Sequence, residues 1–184
     1  FFGMSILSKI NKHLLKGILI SVIIVTTISG ICVRPLQKGF DAVDSKPLAQ
    51  KIREINSEDP DKKWLAVSED FILPAFVLAS GGATINSIND YPNLELWRQL
   101  DQSGQYNDIY NRYAHVLIEF CEEETSFELI QTDMIKIWLS YSDLSVTRAK
   151  YIVSDYRLEA DNQYVVFEEI YDEAGVYIYI IYYK

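Results

Sequence analysis

Residues 114–121 read AHVLIEFC, and their period decides the fold. Ala114, Val116, Ile118 and Phe120 alternate with His115, Leu117, Glu119 and Cys121. A repeat of two places the sets on opposite faces of a β-strand. Downstream, FELIQ (127–131), MIKIWL (134–139) and KYIVS (150–154) are expected to be strands. A helical turn near Leu144–Arg148 precedes the last of these. YVVFEEIY (164–171) and VYIYIIY (176–182) form an expected hairpin around Asp172–Gly175.

Upstream of Ala114 the spacing is mostly helical. Ser45 is placed to cap a helix running to Asn56, with Pro47 in its first turn and Leu48, Ile52 and Ile55 on one face. KWLAVS (63–68) is a strand. Asp70 caps a short apolar helix that contains Pro74 and stops at Gly81-Gly82. Asn93 opens a helix with Leu96, Trp97 and Leu100. After a turn at Ser103-Gly104, Tyr106, Ile109, Tyr110 and Tyr113 line one side of a second helix. Helices with one strand, followed mainly by strands, define an α/β (α+β) domain: one mixed sheet with helices packed on it.

Residues 17–33, GILISVIIVTTISGICV, carry no charge. With Leu14, Leu15 and a snorkelling Lys16 the stretch spans about 30 Å as a helix, the thickness of a bilayer's hydrocarbon core. The chain therefore divides into a flank (1–13), a transmembrane helix (14–33), a juxtamembrane linker (34–44) and a folded domain (45–184). The rival is a cleavable signal peptide, for which Thr27 and Ser29 supply a small-x-small pattern. Lysines occur on both sides of the span, so charge does not set its direction. Phe1-Phe2-Gly3 precede Met4, which leaves two expectations open: a start at Met4, or the tail of a longer protein.

Residues 34–184 carry 14 basic and 26 acidic side chains, a net charge of −12. Such a surface repels nucleic acid, so none is expected as a partner. Cys32 and Cys121 are the only cysteines, which excludes a disulfide-stapled scaffold. His13 and His115 are the only histidines, which excludes a histidine-rich metal site; the sequence offers no metal set, and no cofactor is expected. His115 and Cys121 share a strand face about 20 Å apart, too far to form a catalytic pair.

The densest polar and aromatic cluster is Tyr110, Asn111, Arg112, Tyr113 and His115. These types can hydrogen-bond and stack on sugars or hold phosphates. The competing reading is a helix-to-strand junction with packed tyrosines and an ion-paired Arg112. Glu69 and Asp70 could form an acid–base pair, but adjacent residues point apart and Asp70 has a cap to form, so a structural role is expected. Glu122-Glu123-Glu124 reads as a solvated turn. Tyr177, Tyr179, Tyr182 and Tyr183 suit packing in a strand. No catalytic set emerges.

Several collinear segments resemble one family of larger proteins. They are KPLAQKIREINSEDPDKKWLAV, ASGGATINSINDYPNLELWRQLD, YNDIYNRYAHVLIEF and VTRAKYIVSDYRL. Together they are similar to the C-terminal extracytoplasmic region of bacterial multi-pass glycosyltransferases of the GT-C type. Those enzymes decorate lipoteichoic acid and other envelope polymers. The resemblance implies that 14–33 is the last of several membrane helices and that 1–13 lies on the cytoplasmic side. It implies a domain outside the cell membrane, and a polyprenyl-phosphate-linked sugar donor used elsewhere in the protein. Its catalytic acids lie between earlier helices, so no catalytic residue carries over. The expected function is a non-catalytic domain of an envelope glycosyltransferase-like protein. Its partners would be the bilayer, through 14–33, and either an envelope glycan or the rest of the membrane protein. The alternatives are a stand-alone anchored domain that binds a ligand or protein, and a purely structural plug.

Overall fold

The computed structural model describes residues 12–32, 41–89, 91–159 and 161–184. It comprises two units, an N-terminal helix and a domain beginning at Ala42. The flank 1–11, Val33 and most of the linker, residues 34–40, lie outside the described residues.

Helix α1 (Lys12–Cys32) is long and apolar enough to cross a membrane. None of its apolar stretch is buried against protein. Ser21 donates to the Gly17 carbonyl at 3.0 Å and Thr26 to the Val22 carbonyl at 2.9 Å. These bonds satisfy both hydroxyls within the helix.

The domain opens with a helical turn, α2 (Asp41–Asp44), and α3 (Pro47–Glu58). Pro47 occupies the first helical position, where its missing N–H costs nothing. Lys46, and not Ser45, takes the capping position, without a side-chain bond. Arg53 of α3 reaches back to Asp44. Then follow β1 (Lys63–Val67), α4 (Ile72–Ala79), β2 (Ala83–Thr84) and β3 (Ile88–Asn89). Phe71, and not Asp70, takes the capping position of α4, without a side-chain bond; Asp70, one residue earlier, accepts from the N–H of Ile72 at 2.8 Å. Gly81, at φ +93°, ends α4, and the Gly82 N–H bonds the Val77 carbonyl at 2.9 Å. A Cβ on Gly82 would sit 2.5 Å from Val77 Cγ1, so only glycine lets the chain pass there.

Helix α5 (Leu94–Leu100) is capped by Asn93, whose Oδ1 accepts from the Leu96 N–H at 3.3 Å. The second helix shrinks to one turn, α6 (Asn107–Tyr110). Arg112 explains the stop. Its guanidinium takes the Ile109 carbonyl at 2.7 Å and the Asp108 carbonyl at 2.5 Å, which another turn would have used. Tyr113 thereby leaves the shared face and is exposed. The remaining elements are β4 (Ala114–Cys121), β5 (Ser126–Gln131), β6 (Met134–Ser140), α7 (Leu144–Thr147), β7 (Ala149–Ser154), β8 (Val165–Glu173) and β9 (Val176–Tyr183).

The expected α+β class holds, but the strands form two mixed sheets where one was expected. One has the order β2-β1-β7-β9-β8 and the other β3-β4-β6-β5. β1 runs parallel to β2 and β7, and β4 runs parallel to β6; the remaining pairs are antiparallel. The break arises at Asn86. β2 ends at Thr84, leaving the outer edge of β1 open beyond Trp64. The carboxamide of Asn86 fills that edge as a peptide group would. Its Oδ1 accepts from the Ala66 N–H at 2.9 Å, and its Nδ2 donates to the Ala66 carbonyl at 2.7 Å and the Val116 carbonyl at 3.5 Å. Asn86 is fully buried, so these bonds replace water completely.

Both sheets share one core, in which Leu65, Val67 and Ile152 meet Val116, Ile118, Ile137, Trp97 and Phe127. A second cluster lies under α3 and α4, where Ile52 and Val77 cover Trp64, Ala66, Tyr151 and Val153. Trp64 is wholly buried, stacks on Tyr151 at 4.9 Å and donates its indole N–H to Asn56 Oδ1 at 2.9 Å. Stacking of this kind adds about 0.5–1.5 kcal/mol to burial.

Candidate functional site

The parallel pair β4 and β6 ends level, with Cys121 opposite Ser140. Space beyond the C-terminal ends of parallel strands is where α/β folds commonly hold ligands. Here it is a cleft of about 690 Å³. Five segments wall it: the end of α5 and the chain after it (Gln99–Tyr106), the loop after β4 (Glu122–Thr125), the turn after β6 (Ser140–Asp143), Val146 of α7 and Tyr164 before β8.

Two hydrogen-bond hubs hold these walls. Thr125 donates to Asp143 Oδ2 at 2.6 Å and accepts from the Ser140 N–H at 3.0 Å, tying the two strand exits together. Asp101 organises the opposite wall. Its Oδ1 accepts from the Ser103 hydroxyl at 2.9 Å and the Gln105 N–H at 3.1 Å, and its Oδ2 accepts from the Tyr106 N–H at 2.9 Å. The Tyr110 hydroxyl adds a further bond. Burial works to raise the Asp101 pKa, but the donors outweigh it and hold the carboxyl below its usual range. The same burial, with the Asp101 charge, raises the Tyr110 hydroxyl.

The carboxylates of Asp101 and Asp143 are thus engaged in structure, whereas Glu122, Glu123 and Glu124 are exposed at the rim. Gln99, Gln102, Gln105 and Ser142 add carboxamides and a hydroxyl, and Tyr106 and Tyr164 add rings. The lining includes no lysine, arginine or histidine among the described residues. Such a surface can exchange hydrogen bonds with hydroxyl groups and is unfavourable to anions. The adjacent Cys121 thiol is pushed up by burial and then by the Glu123 carboxylate, which works against a thiolate nucleophile. Among the described residues, no three His, Cys, Asp or Glu side chains are grouped to hold a metal ion.

The structure separates the five residues singled out in the sequence. Tyr110 is buried against Phe127 at 5.0 Å and supports the cleft through Asp101. Asn111 is exposed, and its N–H closes α6 on the Asn107 carbonyl. Arg112 spends its guanidinium on three carbonyls, the third being Thr132 at 3.3 Å. Tyr113 is exposed, with its ring 6.4 Å from that of His115. His115 lies on the strand face opposite Ala114, against Phe71 at 4.7 Å, and its buried Nδ1 makes no hydrogen bond. That face also carries the ion pair Glu119–Lys136 at 2.5 Å, with the Lys136 ammonium over the Trp138 ring.

Glu69 and Asp70 lie near Asp155 at the end of β7. Burial, followed by the charges of Asp70, Glu69 and Glu119, raises the Asp155 carboxyl. The terminal tyrosines are divided as well. Tyr179 is buried and its hydroxyl accepts from the Leu158 N–H, whereas Tyr182 donates to Glu168 at 2.6 Å on the surface.

The fold and its cleft define an α+β domain with a polar, anion-repelling depression, carried on a chain with an N-terminal apolar helix. Over residues 42–184 the chain matches the family model of a domain of unknown function, DUF7654, and it belongs to that family. No curated protein and no solved structure matches it.

Proposed function

We propose that the domain is a non-catalytic, extracytoplasmic module of a glycosyltransferase-like membrane protein. In this reading α1 crosses the cell membrane, and the cleft holds an uncharged saccharide unit of an envelope glycopolymer, the acceptor. The observation that carries it is the cleft itself. It encloses about 690 Å³ and offers hydroxyls, carboxamides and two tyrosines without a cation. The apolar helix and the collinear resemblance of residues 45–184 support the membrane and glycosyltransferase parts. Because the rim is acidic, the saccharide portion of a polymer fits and a polyphosphate backbone does not.

The test is saturation-transfer NMR on the full chain in nanodiscs, with neutral hexose and N-acetylhexosamine oligosaccharides. Transfer from the wild type is expected, with at least a fivefold weakening in Tyr164→Ala and Gln105→Ala. Arg112→Ala, outside the cleft, retains it. No transfer from the wild type, or equal transfer from all four proteins, refutes the reading.

A further inference from the structure

Helix α4 reads ILPAFVLA and has no polar side chain at all. Leu73, Pro74 and Val77 are buried beneath it. The other side is not covered by the described residues: Ile72 is 74% exposed and Leu78 is 53% exposed, with Ala75 and Phe76 partly open. A helix that is apolar all round belongs in apolar surroundings. Beside it lies an apolar groove of about 220 Å³, where Phe76 meets Leu48, Tyr171 and Val176, with Lys46 among its walls. Aliphatic side chains flanked by a tyrosine and a lysine form the composition of a membrane–water boundary.

We propose that the outer face of α4, with this groove, rests in the headgroup–acyl boundary of the bilayer as a second membrane contact. The proposal shares with the reading above only the placement of α1 in a membrane. The chain supplies the argument for lipid as the occupant. Residues 33–40 alone join α1 to α2, and fully extended they reach about 29 Å at most. The groove is built from the domain's first turns, Lys46 to Leu48, and from α4, which packs against the helix they begin. Lys46 and Glu173 offset one another in the lining, so the contact is apolar and independent of anionic lipid.

The test uses the full chain in phosphatidylcholine vesicles, in a Cys32→Ser, Cys121→Ser background. Single cysteines replace Ile72, Leu78, Tyr91 and Ile23 in turn, each labelled with bimane, and the lipid carries a shallow doxyl quencher or, for Ile23 at mid-span, a deep one. Tyr91 is 87% exposed and serves as the aqueous reference, and Ile23 reports on α1. Quenching at Ile72 and Leu78 at least threefold above Tyr91 is expected. Adding Phe76→Asp should return Leu78 to the Tyr91 level. Quenching at Ile23 but not at Ile72 and Leu78 overturns the proposal and leaves the face to a protein partner. Quenching at none of the four overturns it together with the placement of α1 in a membrane.

Discussion

Replacing Asn86 with Asp changes one buried NH₂ into an oxygen and tests how the two sheets are joined. The substituted carboxylate still accepts from the Ala66 N–H. Its second oxygen then faces the Ala66 carbonyl, which Nδ2 approaches to 2.7 Å in the wild type. One hydrogen bond is lost, two acceptors are opposed, and a charge is buried at a site with no solvent exposure. Together these cost about 3–5 kcal/mol at neutral pH. Protonation removes the charge and restores a donor to the Ala66 carbonyl. The folded-state pKa of the new carboxyl is therefore raised above its unfolded value of about 3.9. The penalty is least below that value and grows as pH rises towards the folded-state pKa, by about 1.4 kcal/mol per pH unit. Asn86→Leu should cost a similar amount at every pH, because it leaves the Ala66 groups unbonded and does not titrate. The three tryptophans, Trp64, Trp97 and Trp138, all lie in the domain, so urea unfolding of the full chain in detergent reports on it alone. A loss under about 1 kcal/mol at pH 7.5, or an Asn86→Asp penalty equal at pH 4.5 and 7.5, refutes the role of this side chain as a substitute for a strand.

Three further outcomes follow from the same geometry. Gly82→Ala forces a methyl against Val77 and should lower stability by about 1–3 kcal/mol, with disturbed Trp64 fluorescence; an unchanged urea midpoint contradicts the close approach. Asp101→Asn should lower stability by about 2–3 kcal/mol at pH 7, since it weakens bonds to a buried carboxylate. The Asp101 carboxyl titrates below its unfolded value, so its contribution is complete above about pH 4 and is lost as pH falls through the folded-state pKa. Wild type and variant should therefore converge between about pH 4 and pH 2, and a gap that persists there argues against the charge. Arg112→Ala should cost about 1–2 kcal/mol in urea unfolding by freeing three carbonyls, while saccharide transfer stays intact; loss of transfer in a stable protein would move the binding site to this junction.

Much of the fold was legible because its signals are local. The alternation at 114–121, the runs at 134–139 and 150–154, and the Asn93 cap each depend on a few neighbouring residues. Asn86 was not legible in this way. In ATINSIND it has the look of a loop residue, and its partners Ala66 and Val116 are 20 and 30 positions away. Helix α6 was over-read for a related reason. The tyrosine spacing continues to Tyr113, but the Arg112 side chain competes for the carbonyls. The cleft depends on β4 and β6 being neighbours, with β5 placed outside them. No local pattern records that order, so Asp101, Thr125, Asp143 and Tyr164 carried no signal as a group. The Glu122–Glu124 turn is solvated as expected, and it also forms one rim of the cleft.

Of the strands that edge the two sheets, β2, β8, β3 and β5, the two long ones, β8 and β5, have a bearing on how copies of this domain tolerate crowding. β8 carries Glu168, Glu169, Asp172 and Glu173, and its register shifts between Glu169 and Tyr171. β5 carries Glu128, and its register shifts between Leu129 and Gln131. A strand from a second copy would meet like charges on one margin and a kinked ladder on both. Proteins held on a common surface meet at high local concentration, where open strand margins invite runaway stacking. These margins give the domain a built-in resistance to polymerising side by side, even where its copies are packed densely.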